Sequence, residues 1–124
     1  METISTAKAP AAIGPYSQGI IVNGLLYTSG QIPLDPVSGQ VVEGGINEQT
    51  LQVMKNLEAI FNEANTNFEQ VVKTTCFLAD MSHFGAFNEI YAKFFTSKPA
   101  RSCVAVRELP KGVLVEVEAI AVIE

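Results

Sequence analysis

Tryptophan is absent from the sequence, and histidine occurs once, as His83, among 124 residues. A single imidazole excludes any site within one chain that needs two, as paired-histidine metal centres and acid–base pairs do. Around it, Asp80-Met81-Ser82-His83-Phe84 reads as a loop entering a helix, with His83 solvated or capping. Two cysteines, Cys76 and Cys103, are too few for a disulfide scaffold. The first residues lack a basic start followed by an apolar stretch, so a cytoplasmic protein with reduced thiols is expected. Charged residues are scarce at 17%, and their balance is acidic, with a net charge of −5. That charge argues against a nucleic-acid partner, which calls for a basic surface. No apolar run approaches the roughly 18 residues of a membrane span, so no membrane partner is expected. Signatures of the GxSxG, P-loop and GxGxxG kinds are missing, and Gly44-Gly45 reads as a turn.

What is present is apolar: 48% of the residues are hydrophobic. Such a chain folds rather than staying disordered. It shows no repeat, linker or low-complexity stretch, and a single domain over residues 1–124 follows. Scaling predicts a folded surface of about 6,400 Å² against about 19,300 Å² extended, enough burial for a core. High apolar content with little charge also favours an oligomer.

Residues 1–14 read as an extended lead-in. Strands are expected over Ser17–Val22 and Leu25–Ile32, joined by the favoured hairpin pair Asn23-Gly24. A loop from Pro33 follows, with a short strand over Gln40–Val42. Leu51, Met54, Leu57, Phe61 and Ala64 step by three or four and predict a helix over Ile46–Ala64. Val71–Leu78 is a β-branched run expected as a central strand. Phe84, Phe87, Tyr91 and Phe94 give a second helical stripe, a short strand covers Ser102–Val106, and Val113–Ile123 is the last strand. This order gives an α+β fold: a mixed β-sheet with two helices packed on one face. In the last strand the odd positions are all apolar and the even ones mostly so. Two helices cover one face, and a second copy of the chain is the economical cover for the other.

Five positions stand out chemically. Glu116 and Glu118 lie two apart on that strand, on one face, between Leu114 and Ile120. They suit either ion pairs at a subunit seam or general acid–base work. Arg101, at the mouth of a strand after Pro99, suits a structural ion pair or a bidentate grip on a carboxylate. Cys103, two residues on, is either a small buried hydrophobe or a thiolate favoured by the neighbouring guanidinium. Tyr16 follows the Gly14-Pro15 turn and suits interface packing or the polar rim of a pocket.

Taken together, APAAIGPYSQG over residues 9–19, SGQIP over 29–33, KPARSCV over 98–104 and LPKGVLVEVEAIA over 109–121 resemble the RidA family, also called YjgF-like, along nearly the whole chain. The resemblance implies a chorismate-mutase-like α+β fold assembled as a homotrimer, with sites at the subunit interfaces. It implies hydrolysis of reactive 2-imino acids and their enamine tautomers to 2-oxo acids and ammonia, with no metal or cofactor. By the same resemblance Arg101 binds the substrate carboxylate. Cys103 lines the site by its backbone more than its thiol, and Glu116 holds water or passes protons. Tyr16 closes the pocket from a neighbouring subunit, while Ser29, Gly30 and Asn88 line it; Glu118 is then structural. The chain departs from the common family pattern just after Cys103, at Val104-Ala-Val-Arg-Glu-Leu-Pro110, which leaves the arginine and glutamate untouched. The alternative reading is a small-carboxylate-binding regulatory module without catalysis.

Overall fold

A computed structural model describes residues 1–124. One six-stranded sheet carries two helices on a single face. The strands are β1 (Glu2–Ile4), β2 (Gly19–Val22), β3 (Leu25–Thr28), β4 (Val71–Leu78), β5 (Ala100–Ala105) and β6 (Val115–Val122). The helices are α1 (Ile46–Glu63) and α2 (Phe84–Phe94). Strand order is β1-β2-β3-β6-β4-β5, antiparallel throughout except for the parallel pair β4–β5. The expected mixed sheet with one helical layer is therefore present.

Local chemistry explains the connections. Asn23 and Gly24 both take positive φ, 52° and 75°, as a type I′ hairpin turn requires. Glu48 reaches back to accept the Gly45 N–H at 2.8 Å, capping α1. Asp80 accepts the Ser82 N–H at 2.8 Å and starts a single 3₁₀ turn, Met81–His83, that runs into α2.

Six expectations about the elements shift. The lead-in contains β1, which pairs with β2. The strand expected from Ser17 begins at Gly19, and the next stops at Thr28 instead of Ile32. Gln40–Val42 makes one bridge, Leu34 to Val41, instead of a strand. β5 starts two residues early, at Ala100, and β6 two residues late, because Pro110–Gly112 forms a 3₁₀ turn with Lys111 at φ 57°. Leu51, expected in the buried stripe of α1, is 41% exposed; Thr50, Val53, Met54, Leu57, Ile60 and Phe61 are buried there, with the amides Gln49 and Asn56.

Pairing register sorts the side chains into two faces. Toward the helices lie the rows Leu26–Ala121, Ala119–Thr74–Arg101, Val117–Cys76–Cys103 and Val115–Leu78–Ala105. Most of these are core residues, packed under α1 and α2 with Phe61, Phe87 and Phe95. The opposite face carries Ile20–Tyr27–Ile120–Lys73, Glu118–Thr75–Ser102 and Glu116–Phe77–Val104. Tyr27 and Val104 on it are exposed, and no helix of this chain covers it. The unpartnered face inferred from the last strand is thus real.

Candidate active site

The first cluster of candidate residues is a cleft of about 560 Å³ on the uncovered side of the sheet. Its geometry originates in a mismatch between β3 and β6. Pairing runs through Tyr27–Ile120 and resumes at Gln31–Val117, where two backbone hydrogen bonds of 2.8 and 3.1 Å re-form the ladder. Three residues on one side, Thr28 to Gly30, thus oppose two on the other, Glu118 and Ala119. This is a β-bulge, which turns Ser29 and Gly30 outward. The Thr28 hydroxyl takes the freed Ala119 N–H at 3.0 Å.

Gly30 consequently abuts the Glu116 side chain, and a Cβ there would collide with the carboxylate. Glu116 is half-buried, and that burial, reinforced by the Glu118 carboxylate, raises its pKa above the ordinary value. Tyr16, 53% exposed, stands on the rim, with Ile13, Pro10, Pro110 and Lys111 completing the walls. Two buried amides hold these walls. Gln18 accepts the Thr6 N–H at 2.7 Å and donates to the carbonyls of Thr6 and Pro10 at 3.0 and 2.8 Å. Asn56 on α1 donates to the carbonyls of Ile32 and Leu34, both at 3.1 Å. The Ser29 hydroxyl is itself engaged, donating to the carbonyl of Ser17.

A second cluster surrounds Arg101 on the edge strand β5, at the end of α2. The guanidinium carbon lies 4.8 Å from the centre of the Tyr91 ring and 5.4 Å from that of Phe84. Its Nη1 donates to Asn88 Oδ1 at 2.7 Å. The partner is a neutral amide, so the positive charge is left free for an anion. A hollow of about 360 Å³ beside it is lined by Asn88, Tyr91, Lys98 and Arg101.

The sequence reading groups Arg101, Glu116 and the Cys103 backbone around one substrate. One chain separates them: Arg101 and Cys103 pair with Thr74 and Cys76 on the helix-covered face, whereas Glu116 pairs with Phe77 on the other. Tyr16, Ser29, Gly30 and Glu116 share the cleft, and Asn88 belongs with Arg101. The thiolate favoured by Arg101 is not realised at Cys103, because burial outweighs the guanidinium and raises that thiol's pKa. Its neighbour Cys76 is fully buried and pushed up to about 12.

Sequence reasoning missed Lys111, Gln31, Phe84 and Tyr91. The two aromatics were read as core stripe; the signal for more was Asn88, a polar residue lying with them on one helix face. Lys111 stood in a turn and gave no sign of lining a cleft.

A mixed six-stranded sheet with two helices on one face is the α+β fold this chain shares with its solved relatives. The family described as endoribonuclease L-PSP matches residues 6–123, and the chain belongs to it; this is the RidA or YjgF-like family. Among its relatives, the 2-iminobutanoate/2-iminopropanoate deaminase of Mus musculus is 55% identical over 122 residues, covering 98% of this chain and 90% of the relative. A Lactococcus lactis protein bearing the name of a regulator, AldR, is 59% identical over 122 residues, covering 98% and 97%. The Escherichia coli protein TdcF, solved with bound serine, superposes with a TM-score of 0.94 at 39% identity, covering 100% of both chains.

Proposed function

We propose that this chain is an imine deaminase, hydrolysing 2-iminobutanoate, 2-iminopropanoate and related 2-imino acids or their enamines to 2-oxo acids and ammonia. It acts in the cytoplasm as a homotrimer without metal or cofactor. Each cleft takes Arg101, Asn88 and the Cys103 backbone from one copy, and Tyr16, Ser29, Gly30 and Glu116 from the next. The observation that carries this reading is the division of the site: a stacked guanidinium without an anion on one face, a half-buried carboxylate in a cleft on the other. The uncovered face, where Ile20, Tyr27, Phe77, Val104 and Ile120 lie with Glu116, is the surface assigned to a second copy. The relatives named as imine deaminases support the substrate class.

The chemistry requires little. Arg101 clamps the substrate carboxylate through two parallel N–H···O bonds. Glu116, whose pKa burial raises, serves as the acid that gives a proton to the imine nitrogen. The resulting carboxylate accepts a proton as water adds to the carbon, and the carbinolamine so formed loses ammonia to leave the 2-oxo acid. Imines hydrolyse unaided in water, so positioning and one acid–base group suffice.

A pyridoxal-phosphate threonine dehydratase generating 2-iminobutanoate, with semicarbazide trapping the imine that escapes, provides the test. Wild type accelerates oxo-acid formation and Arg101→Ala does not; equal rates for the two contradict the proposal. The second reading, a carboxylate sensor, is favoured by the regulator name of one relative and the serine bound to another. It predicts 2-oxobutanoate binding without acceleration. The family description names an endoribonuclease, but a net charge of −5 and a single imidazole favour a small carboxylate over RNA.

A further inference from the structure

We infer that Tyr91 and Phe84, with Tyr91 braced by Thr74, position the Arg101 guanidinium and so form the carboxylate subsite before any substrate arrives. The inference rests on the proposal that Arg101 is the carboxylate clamp. Arginine is a flexible side chain, and holding it in one orientation carries an entropic cost that a ligand must otherwise meet. Here that orientation is already set. Both rings lie within the roughly 6 Å over which a cation is attracted to an aromatic face. The Asn88 amide occupies one edge of the fork at 2.7 Å, and the remaining N–H donors stay available for a carboxylate.

The Tyr91 ring is itself fixed. It stacks on Phe95 at 4.4 Å with 27° between the planes. Its hydroxyl lies 2.7 Å from that of Thr74, a fully buried residue of β4. Thr74 is also the register partner of Arg101 on the adjacent parallel strand. The brace therefore closes a loop: Arg101 to the Tyr91 ring, the Tyr91 hydroxyl to Thr74, and Thr74 across the ladder to Arg101. A tyrosine serving only the core needs no such alignment with the guanidinium over its ring.

The chain has two arginines, Arg101 and Arg107, so side-chain Nε–Hε resonances of arginine-labelled protein are readable, and Arg101→Ala assigns them. In ligand-free wild type the Arg101 resonance is shifted by the rings away from the free-arginine position. It returns toward that position in Tyr91→Leu and in Phe84→Leu. Positioning acts equally on bound substrate and transition state, so it moves KM and leaves kcat alone. Both variants raise the Kd for 2-oxobutanoate and the KM about tenfold, with kcat within about twofold. Tyr91→Phe retains the ring and loses only the Thr74 brace, so its affinity falls between that of wild type and that of Tyr91→Leu. Phe84 is only partly buried, so its variant carries the test if Tyr91→Leu fails to fold. An unshifted wild-type resonance overturns the inference. So does 2-oxobutanoate affinity that is lost in Arg101→Ala but retained in both leucine variants. Equal binding by wild type and Arg101→Ala instead overturns the clamp itself, and the positioning role with it.

Discussion

Gly30 and Glu116 are packed so closely that position 30 has no room for a side chain: a Cβ there would meet the Glu116 carboxylate. The bulge between β3 and β6 creates this approach, so the glycine serves the site more than the fold. Gly30→Ala should displace a flexible carboxylate and cost no more than about 1 kcal/mol of stability. Turnover should nevertheless fall by more than about tenfold, through kcat, because the proposed proton donor is misplaced. Denaturant melts and steady-state kinetics on the same preparation check both halves.

Arg101→Lys keeps a positive charge and loses the planar fork. The bidentate geometry and the stacking are both absent in lysine, so the expected loss of carboxylate affinity is about 2 kcal/mol, or roughly thirtyfold. Calorimetric titration with 2-oxobutanoate measures it, and a lysine variant binding like wild type would reduce Arg101 to a point charge.

Asn56 joins α1 to the loop behind the cleft by donating to two backbone carbonyls. Asn56→Leu leaves the part-buried Leu34 carbonyl without its partner, while the Ile32 carbonyl keeps the Leu34 N–H at 2.8 Å. A loss of about 1–3 kcal/mol is expected, together with a weaker cleft, since Ile32 and Leu34 line it. Thermal melts should show a lower Tm even where expression is unchanged.

Cys76 gives a pH dependence whose sign is fixed by burial. The folded thiol is pushed up to about 12, above its value of 9.0 in an exposed chain. Above pH 9 the unfolded chain therefore releases a proton that the fold retains. Stability is fully present below that pH and declines as pH rises toward 12. Cys76→Val should flatten the decline in Tm between pH 9 and 11. In native protein at pH 8, a thiol reagent should reach Cys103 slowly and Cys76 only after unfolding.

Ile120 sits in the middle of the uncovered face, beside Tyr27 and Lys73. Ile120→Lys should leave a folded monomer by light scattering and remove activity, if the face joins copies that share each cleft.

Much of this architecture was legible in the residues. The 3.6-residue spacing of Met54, Leu57 and Phe61 and the β-branched run from Val71 mark elements whose cores depend on local pattern alone. The apolar odd and even positions of β6 announced a sheet needing a cover on both sides. The bulge at Thr28–Gly30 was not legible, since it is a property of two strands 90 residues apart. For the same reason the sequence placed Arg101 and Glu116 at one site without showing that they lie on opposite faces. That separation depends on register, which Thr74 and Phe77 set by pairing with different neighbours. Leu51 was misassigned because a three-step pattern fits two adjacent helix faces, and only packing chooses between them.

The shared cleft is tested most directly by mixing two dead proteins. Arg101→Ala and Glu116→Gln are each expected to be inactive alone. Co-refolded in equal amounts, they should regain about a quarter of the wild-type rate of 2-iminobutanoate hydrolysis, because one cleft in four then joins an intact Arg101 to an intact Glu116 of the neighbouring copy. A mixture as inactive as its parents, with mixed oligomers confirmed by mass, would contradict the divided site.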